Sequence, residues 1–286
     1  MILSPDGAHI YVASPDTDGS APYDSRLYVF ERNTTPGANF GQIVFIEFLT
    51  QGENGIDGIE AIQEFQMSQD GAYLYALSTD PSGTESAVAT FTRNNNRLSP
   101  DFGRLTFLNA VTSQMPIVPV DLLLSPDQKH IYVTGDGEIN RYIRDTGTGL
   151  LTHDETMVTT VAGHMAISSD GSNLYVVDEV ADQVDAYDRN NTDGDANFGD
   201  LSSIGDVMQA DIDAVSHMII SADDKNLYLA ATGTDKVVVI NRNISTGAIT
   251  HATSYDDTAL AFNATETLVG MHRLSLSPDG EHLFIS

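Results

Sequence analysis

Neither cysteine nor tryptophan occurs among the 286 residues. Without Cys there is no disulfide framework and no thiolate nucleophile, and the redox state of the compartment leaves no trace in the chain. Basic residues are scarce: 13 Lys and Arg stand against 41 Asp and Glu, a net charge of −28, and only Lys129, Lys225 and Lys236 are lysines. Such a surface repels nucleic-acid phosphates and anionic lipids, so no nucleic-acid partner is expected. It favours cations, and it suits solubility at high salt. No apolar run approaches the roughly 18 residues that a bilayer span requires, so no membrane insertion is expected, and the first residues do not read as a signal peptide. A Gly-x-Ser-x-Gly elbow is missing too, which removes the usual signal for a serine acyl-enzyme.

What the chain does have is one phrase repeated six times. A hydrophobic residue and Ser are followed by a turn containing Asp, then by an aliphatic residue and Tyr or Phe. The copies are Leu3–Gly7 before Ile10-Tyr11, Met67–Gly71 before Leu74-Tyr75, Leu124–Gln128 before Ile131-Tyr132, Ile167–Gly171 before Leu174-Tyr175, Ile220–Asp224 before Leu227-Tyr228 and Leu276–Gly280 before Leu283-Phe284. A unit of this length recurring along a whole chain marks a repeat architecture.

The fifth unit shows the build. Val215–Ile220 is apolar-rich, Ser221–Asp224 turns, Lys225–Ala230 alternates, and Lys236–Asn241 is β-branched. Asn243–Gly247 turns again and Ala248–Tyr255 extends. Four short strands between Gly, Asp and Asn turns predict a four-stranded antiparallel blade, and blades repeated about an axis predict an all-β propeller. The units fall at 1–52, 59–114, 118–160, 162–209, 213–258 and 267–286, about five and a half blades of a single domain. The first and last are cut within a blade, as a piece of a longer chain would be, or as a ring closed by another polypeptide.

An Arg follows the third strand of each of the first five units, at Arg32, Arg93, Arg144, Arg189 and Arg242. In an up-and-down meander the strand 1–2 and strand 3–4 turns share a rim, which brings the recurrent Asp and Arg within reach of a charge-assisted hydrogen bond. Recurrence in nearly every blade makes them architectural. The Asn- and Asp-rich stretch Asn190–Asp200 does not place oxygens at EF-hand positions around Gly194, since position one would be Arg189. The Asn-x-Ser/Thr matches at Asn33, within Asn190–Thr192 and at Asn243 fall in such turns, and turn chemistry explains them better than glycosylation.

Ser-Pro-Asp-Gly, then Leu/Ile-Tyr-Val, a strand ending Phe-x-Arg, and Thr-Gly-x-Leu/Ile together resemble the lactonase-type seven-bladed propellers, the 6-phosphogluconolactonase-like and Tyr-Val-Thr-Asn-repeat family. The resemblance spans the whole chain. It implies the fold, and among activities it implies lactone hydrolysis, muconate-type cycloisomerisation, or a non-catalytic module of an exported bacterial protein. Asn54–Ile59 resembles the acidic, Gly-rich connectors of the exported group. That implies a secreted, cell-surface or periplasmic address and a non-catalytic role in binding a lactone, a sugar-like ligand or a protein partner.

The site candidates come from the first strands. Four residues before the repeat Ser stand Glu64, Asp121, His164, His217 and Arg273, on the parity opposite to apolar neighbours such as Phe65, Leu122, Met165, Met218 and Leu274. Period-two alternation puts this polar set on one side, at the mouth of the expected channel. His272 adjoins Arg273 and resembles a His that precedes Ser-Pro-Asp-Gly in lactonase relatives. Imidazoles, carboxylates and an Arg could deprotonate water and stabilise an oxyanion, hold a divalent cation, or simply line a wet funnel. No cofactor is required, and Ca²⁺ or another divalent cation is the candidate ion. The longest loops on that rim, Ala13–Ser25 (Asp16, Asp18, Tyr23, Asp24) and Thr50–Ala61 (Glu53, Asp57, Glu60), are acidic and suit a cationic ligand.

Overall fold

Each Ser-x-Asp repeat folds into the same hairpin for the same reason: a short side chain supplies the hydrogen bonds that a tight turn takes from the main chain. The Ser hydroxyl donates to the Asp carboxylate in all six copies, at 2.5 Å in Ser4–Asp6 and 2.6 Å in Ser68–Asp70, Ser125–Asp127 and Ser168–Asp170. Ser221–Asp223 and Ser277–Asp279 repeat the bond. The same hydroxyl accepts the N–H five residues on, as at His9, Tyr73, Asn173, Asn226 and His282. The residue after Asp has a left-handed backbone, which explains Gly7, Gly71, Gly171 and Gly280; Gln128 and Asp224 adopt it despite their side chains.

The computed structural model describes residues 1–14, 25–79, 83–159, 163–178, 180–260 and 267–286. The acidic residues Asp16, Asp18 and Asp24, with Tyr23, lie outside the described residues. Blade 1 is the sheet β1 (Ile2–Leu3), β2 (His9–Ser14), β3 (Arg26–Arg32), β4 (Ile43–Thr50); blade 2 is β5 (Ile62–Met67), β6 (Tyr73–Thr79), β7 (Ser86–Arg93), β8 (Leu105–Val111). Blade 3 is β9 (Pro119–Leu124), β10 (His130–Gly135), β11 (Glu138–Arg144), β12 (Leu151–Val158); blade 4 is β13 (Met165–Ile167), β14 (Asn173–Asp178), β15 (Gln183–Arg189), β16 (Leu201–Met208). Blade 5 is β17 (Val215–Ile220), β18 (Asn226–Ala231), β19 (Lys236–Arg242), β20 (Ile249–Tyr255), and blade 6 is the pair β21 (Leu274–Leu276) and β22 (Leu283–Ile285). Every pairing is antiparallel between sequence neighbours, and the one helical turn among the described residues is Glu53–Gly55. This is the all-β propeller fold that the repeat predicts.

The blades fall into two compact units. Met1–Leu124 with Gln128–Met157 hold blades 1–3; Ser125–Asp127 with Val158–Ser286 hold blades 4–6. Within the first unit, Tyr11, Leu27 and Val29 of blade 1 pack on Phe65, Leu74, Ala76 and Phe91 of blade 2. Tyr75, Leu77 and Val88 of blade 2 then pack on Leu122, Ile131, Val133 and Tyr142 of blade 3. Within the second, Tyr175, Val177 and Val184 meet Met218, Leu227, Leu229 and Val238, and Ala230 with Val237 meets Leu274. Each fully buried side chain of this size contributes roughly 1.5–3 kcal/mol.

The recurrent Arg does join the recurrent Asp, but across blades. Arg93 of blade 2 reaches Asp6 of blade 1 at 2.9 Å, and Arg189 reaches Asp127 of the preceding hairpin at 2.7 Å. The repeated Tyr belongs to the same device. Nε of Arg93, Arg144 and Arg242 donates to the hydroxyl of Tyr11, Tyr75 and Tyr175 at 2.7, 2.5 and 2.6 Å. Those hydroxyls donate in turn to the carbonyls of Gly103, Gly149 and Gly247 in the next blade's strand 3–4 turn. The buried guanidiniums of Arg93 and Arg242 are tolerated because acceptors face their donors: Asp6 and the Gly71 carbonyl for Arg93, Asn173 and the Asp224 carbonyl for Arg242.

The clamp shifts its members' titration. Asp6 is raised by burial, but its bonds from the Ser4 hydroxyl, the Ala8 N–H and Arg93 outweigh this and lower it to about 2. His9, fully buried with Arg93 2.8 Å from Nδ1, is lowered to about 4 by burial and by that positive charge. Burial pushes the Tyr11 and Tyr75 hydroxyls up to about 12, so both stay protonated as donors.

Candidate functional site

At the far end of each first strand from the Ser-Asp hairpin, the alternation read from sequence holds. Phe65, Leu122, Met165, Met218 and Leu274 are buried, whereas Glu64, Asp121, His164 and His217 are half-buried and Arg273 is exposed. What the sequence did not disclose is how those ends are aimed. A β-bulge precedes the polar residue in three blades: Gln63 is the extra residue before Glu64, Val120 before Asp121, and Ser216 before His217. A bulge bends the strand and turns the next side chain. The bulges carry no composition signal, because Gln, Val and Ser are ordinary strand residues.

In the second unit the candidates come together. The rings of His164 and His217, from blades 4 and 5, meet edge to face with centroids 6.3 Å apart. On the next first strand, the Leu274 N–H donates to His217 Nδ1 at 3.3 Å. With Nδ1 an acceptor, the neutral His217 ring carries its proton on Nε2, so Nε2 is a donor. Arg273 sits one residue before that anchoring amide. Its N–H, like that of His272, donates to the Ser286 carbonyl, which fixes both residues at the open end of blade 6. The strands thus present an imidazole pair followed by a guanidinium-bearing residue.

In the first unit, Glu64 and Asp121 stand on β5 and β9, which pack side by side. An Asp121 carboxylate oxygen accepts the N–H of Leu122 at 2.8 Å.

Among the described residues, no group of three or more His, Asp or Glu is arranged to hold a metal ion. Two of the three acids of Thr50–Ala61 are answered inside the loop: the Gln51 amide nitrogen donates to Asp57 at 2.9 Å and to Glu60 at 2.6 Å, and buried Ile56 and Ile59 pin the backbone. In Asn190–Asp200 the side-chain oxygens of Asn190 and Asp195 accept the N–H groups of Thr192 and Asn197, which is turn chemistry.

No curated protein sequence matches this chain. Solved structures do. A candidate 6-phosphogluconolactonase of Bacteroides fragilis aligns over 99% of this chain and 75% of its own, at 16% identity and a TM-score of 0.70. The periplasmic gluconolactonase of Pseudomonas aeruginosa aligns over 88% and 68%, at 17% identity and 0.64. A Lactobacillus plantarum protein aligns over 86% and 67%, at 17% identity and 0.66. At these identities the likeness is one of fold. The family description "Lactonase, 7-bladed beta-propeller" matches residues 122–269, slightly more than half of the sequence. The chain therefore belongs to the seven-bladed β-propeller lactonase family.

Proposed function

We propose that this protein is a binding propeller that takes a small lactone- or sugar-acid-like ligand at the open ends of its first strands, with His164, His217 and Arg273 as the recognition group and His272 beside them. The contact of the His164 and His217 rings, with His217 held by the Leu274 amide, is the observation that carries this reading. Two imidazoles and an Arg, carried by the first strands of blades 4, 5 and 6, can supply donors on a chain of net charge −28. Such donors match a carbonyl, a carboxylate or ring hydroxyls. Glu64 and Asp121 hold the equivalent positions of blades 2 and 3 in the other compact unit. The acidic composition and the likeness to a periplasmic gluconolactonase support an exported address.

Family membership favours a second reading, hydrolysis of the same lactone. His164 would take a proton from water as the oxygen attacks the lactone carbonyl carbon. His217 Nε2–H and Arg273 would stabilise the oxyanion. The ring C–O bond would then break as His164 returns the proton to the leaving oxygen.

One experiment serves both. Millimolar δ-gluconolactone and gluconate should raise the melting temperature of the native protein by mass action, and His164→Ala/His217→Ala should abolish the rise. A melt indifferent to a panel of lactones and aldonates would sink the binding reading. Acid release in a pH-stat decides hydrolysis: turnover lost in the double variant supports it, and turnover unchanged there removes the pair. A melt that responds to neither Ca²⁺ nor EDTA would dispose of a divalent ion.

A further inference from the structure

Blade 4 carries a second concave surface, at the opposite end of its strands from His164. Three blades share a long strand 3–4 turn, marked by Asn39-Phe40-Gly41, Asp101-Phe102-Gly103 and Asn197-Phe198-Gly199. The turn is built alike each time, with the Phe ring against the guanidinium that ends the third strand. From Arg Cζ to ring centroid the distance is 4.9 Å for Arg32–Phe40, 5.2 Å for Arg93–Phe102 and 5.3 Å for Arg189–Phe198. What differs is the flank. In blade 4 the turn borders an open bowl of about 380 Å³, walled by Asp188, Asn190, Asn197, Asp200 and Ser202, and no apolar residue lines it. At the matching positions blade 1 has Glu31, Asn33, Asn39, Gln42 and Val44, and blade 2 has Thr92, Asn94, Asp101, Arg104 and Thr106. Where blade 4 has Asp200, Arg104 of blade 2 is spent on Glu47 and on Asp101.

The turn's own bonds leave polar groups on this wall to spare. Asn191 Nδ2 donates to the Ser172 hydroxyl at 3.1 Å, which fixes one side. Asp188 has a single long contact, 3.5 Å from Asn173 Nδ2. The side chains of Asn197 and Ser202 bond to nothing among the described residues. Arg189 offers nothing to an anion, because its inaccessible guanidinium is committed to Asp127 at 2.7 Å and to the Gly171 carbonyl at 3.2 Å.

The bowl thus combines two carboxylates, two amides and a hydroxyl with no accessible cation. Its carboxylates repel an anion, its polar wall gives a hydrophobic guest nothing, and two acids fall short of a metal cage. Neighbouring hydroxyls are what such a set matches: a carboxylate accepts two O–H donors at once, and a side-chain amide both donates and accepts. The volume falls within the range of small-molecule sites. We propose that this bowl binds a neutral, hydroxyl-rich sugar ring, gripped by Asp188 and Asp200 with Asn197 and Ser202 completing the contacts. It is independent of the imidazole site, whose donors suit an acid or a lactone.

Saturation-transfer NMR with millimolar glucose, galactose, mannose, maltose and cellobiose tests it. At least one sugar should receive transfer from the native protein, and Asp188→Asn should weaken its binding about tenfold. Asp200→Arg, which gives blade 4 the side chain that blade 2 carries there, should abolish transfer. His164→Ala/His217→Ala should leave the affinity within about twofold, since those rings stand at the other end of the strands. No transfer to any of these sugars, transfer that survives both wall variants, or transfer lost in the histidine double variant would overturn the inference. Asn197 and Ser202 resonances that move with Ca²⁺ and with no sugar would assign the bowl to a cation and overturn it as well.

Discussion

The two ends of the first strands behave differently. At the hairpin end, the same Ser, Asp, Tyr and Arg recur from blade to blade, and their polar atoms are spent on one another: Ser4 on Asp6, Asp6 on Arg93, Arg93 on Tyr11, Tyr11 on Gly103. At the other end, the same five positions carry Glu, Asp, His, His and Arg. Repetition marks groups that hold blades together. Variation at a fixed position marks groups that the repeat itself does not require, and their contacts differ from blade to blade, as where the Leu274 N–H donates to His217.

Breaking the hairpin end should have the largest effect. Arg93→Ala removes a buried guanidinium and strands the Asp6 carboxylate beside the Tyr11 hydroxyl; a loss of about 3 kcal/mol is expected from chemical denaturation. Turn glycines come next, and they sharpen the contrast. Gly149→Ala, with φ of 75° and a Cβ 2.2 Å from the Tyr73 ring, should cost on the order of 2–4 kcal/mol. Gly41→Ala, in open space, should cost only the left-handed strain of roughly 1 kcal/mol. Tyr75→Phe leaves Arg144 Nε and the Gly149 carbonyl without their partner, for about 1–3 kcal/mol.

The pH response follows from His9 and Asp6. The folded state holds His9 neutral down to about pH 4, against 6.5 for a free imidazole, so its contribution is complete above pH 6.5 and lost as pH falls towards 4. Asp6 keeps its contribution above pH 3.8 and loses it towards pH 2. The difference between native and His9→Gln stability curves should therefore slope between pH 6.5 and 4 and be flat above. A flat difference throughout would contradict the buried, Arg-facing placement of His9. Smallest of all on stability, His164→Ala/His217→Ala should shift unfolding by no more than about 1 kcal/mol, since both rings are half-buried.

Much of this was legible in the residues. The Asp-turn-Tyr phrase marked the blades, because a period-two strand between Gly and Asp turns has few other ways to bury its apolar side. Alternation placed Glu64, Asp121, His164, His217 and Arg273 on the polar side of their strands. The recurrent Asp and Arg were visible as a pair, yet their partnership across blades was not, because neither residue says which sheet lies beside it. Tyr stands in five of the six copies, yet its role as a hydrogen-bonding group was not legible, because a Tyr in a period-two strand serves the apolar pattern equally well.

Local chemistry along the sequence determined the repeat, the hairpins, the strand order and the polar parity, since each depends on residues within one unit. Packing alone decided the rest. Bulges at Gln63, Val120 and Ser216 re-aim the candidate side chains, the Leu274 amide sets the proton on His217, and Arg93 finds Asp6 one blade away. These are contacts between segments distant in sequence, and their geometry exists only once sheets have stacked face to face.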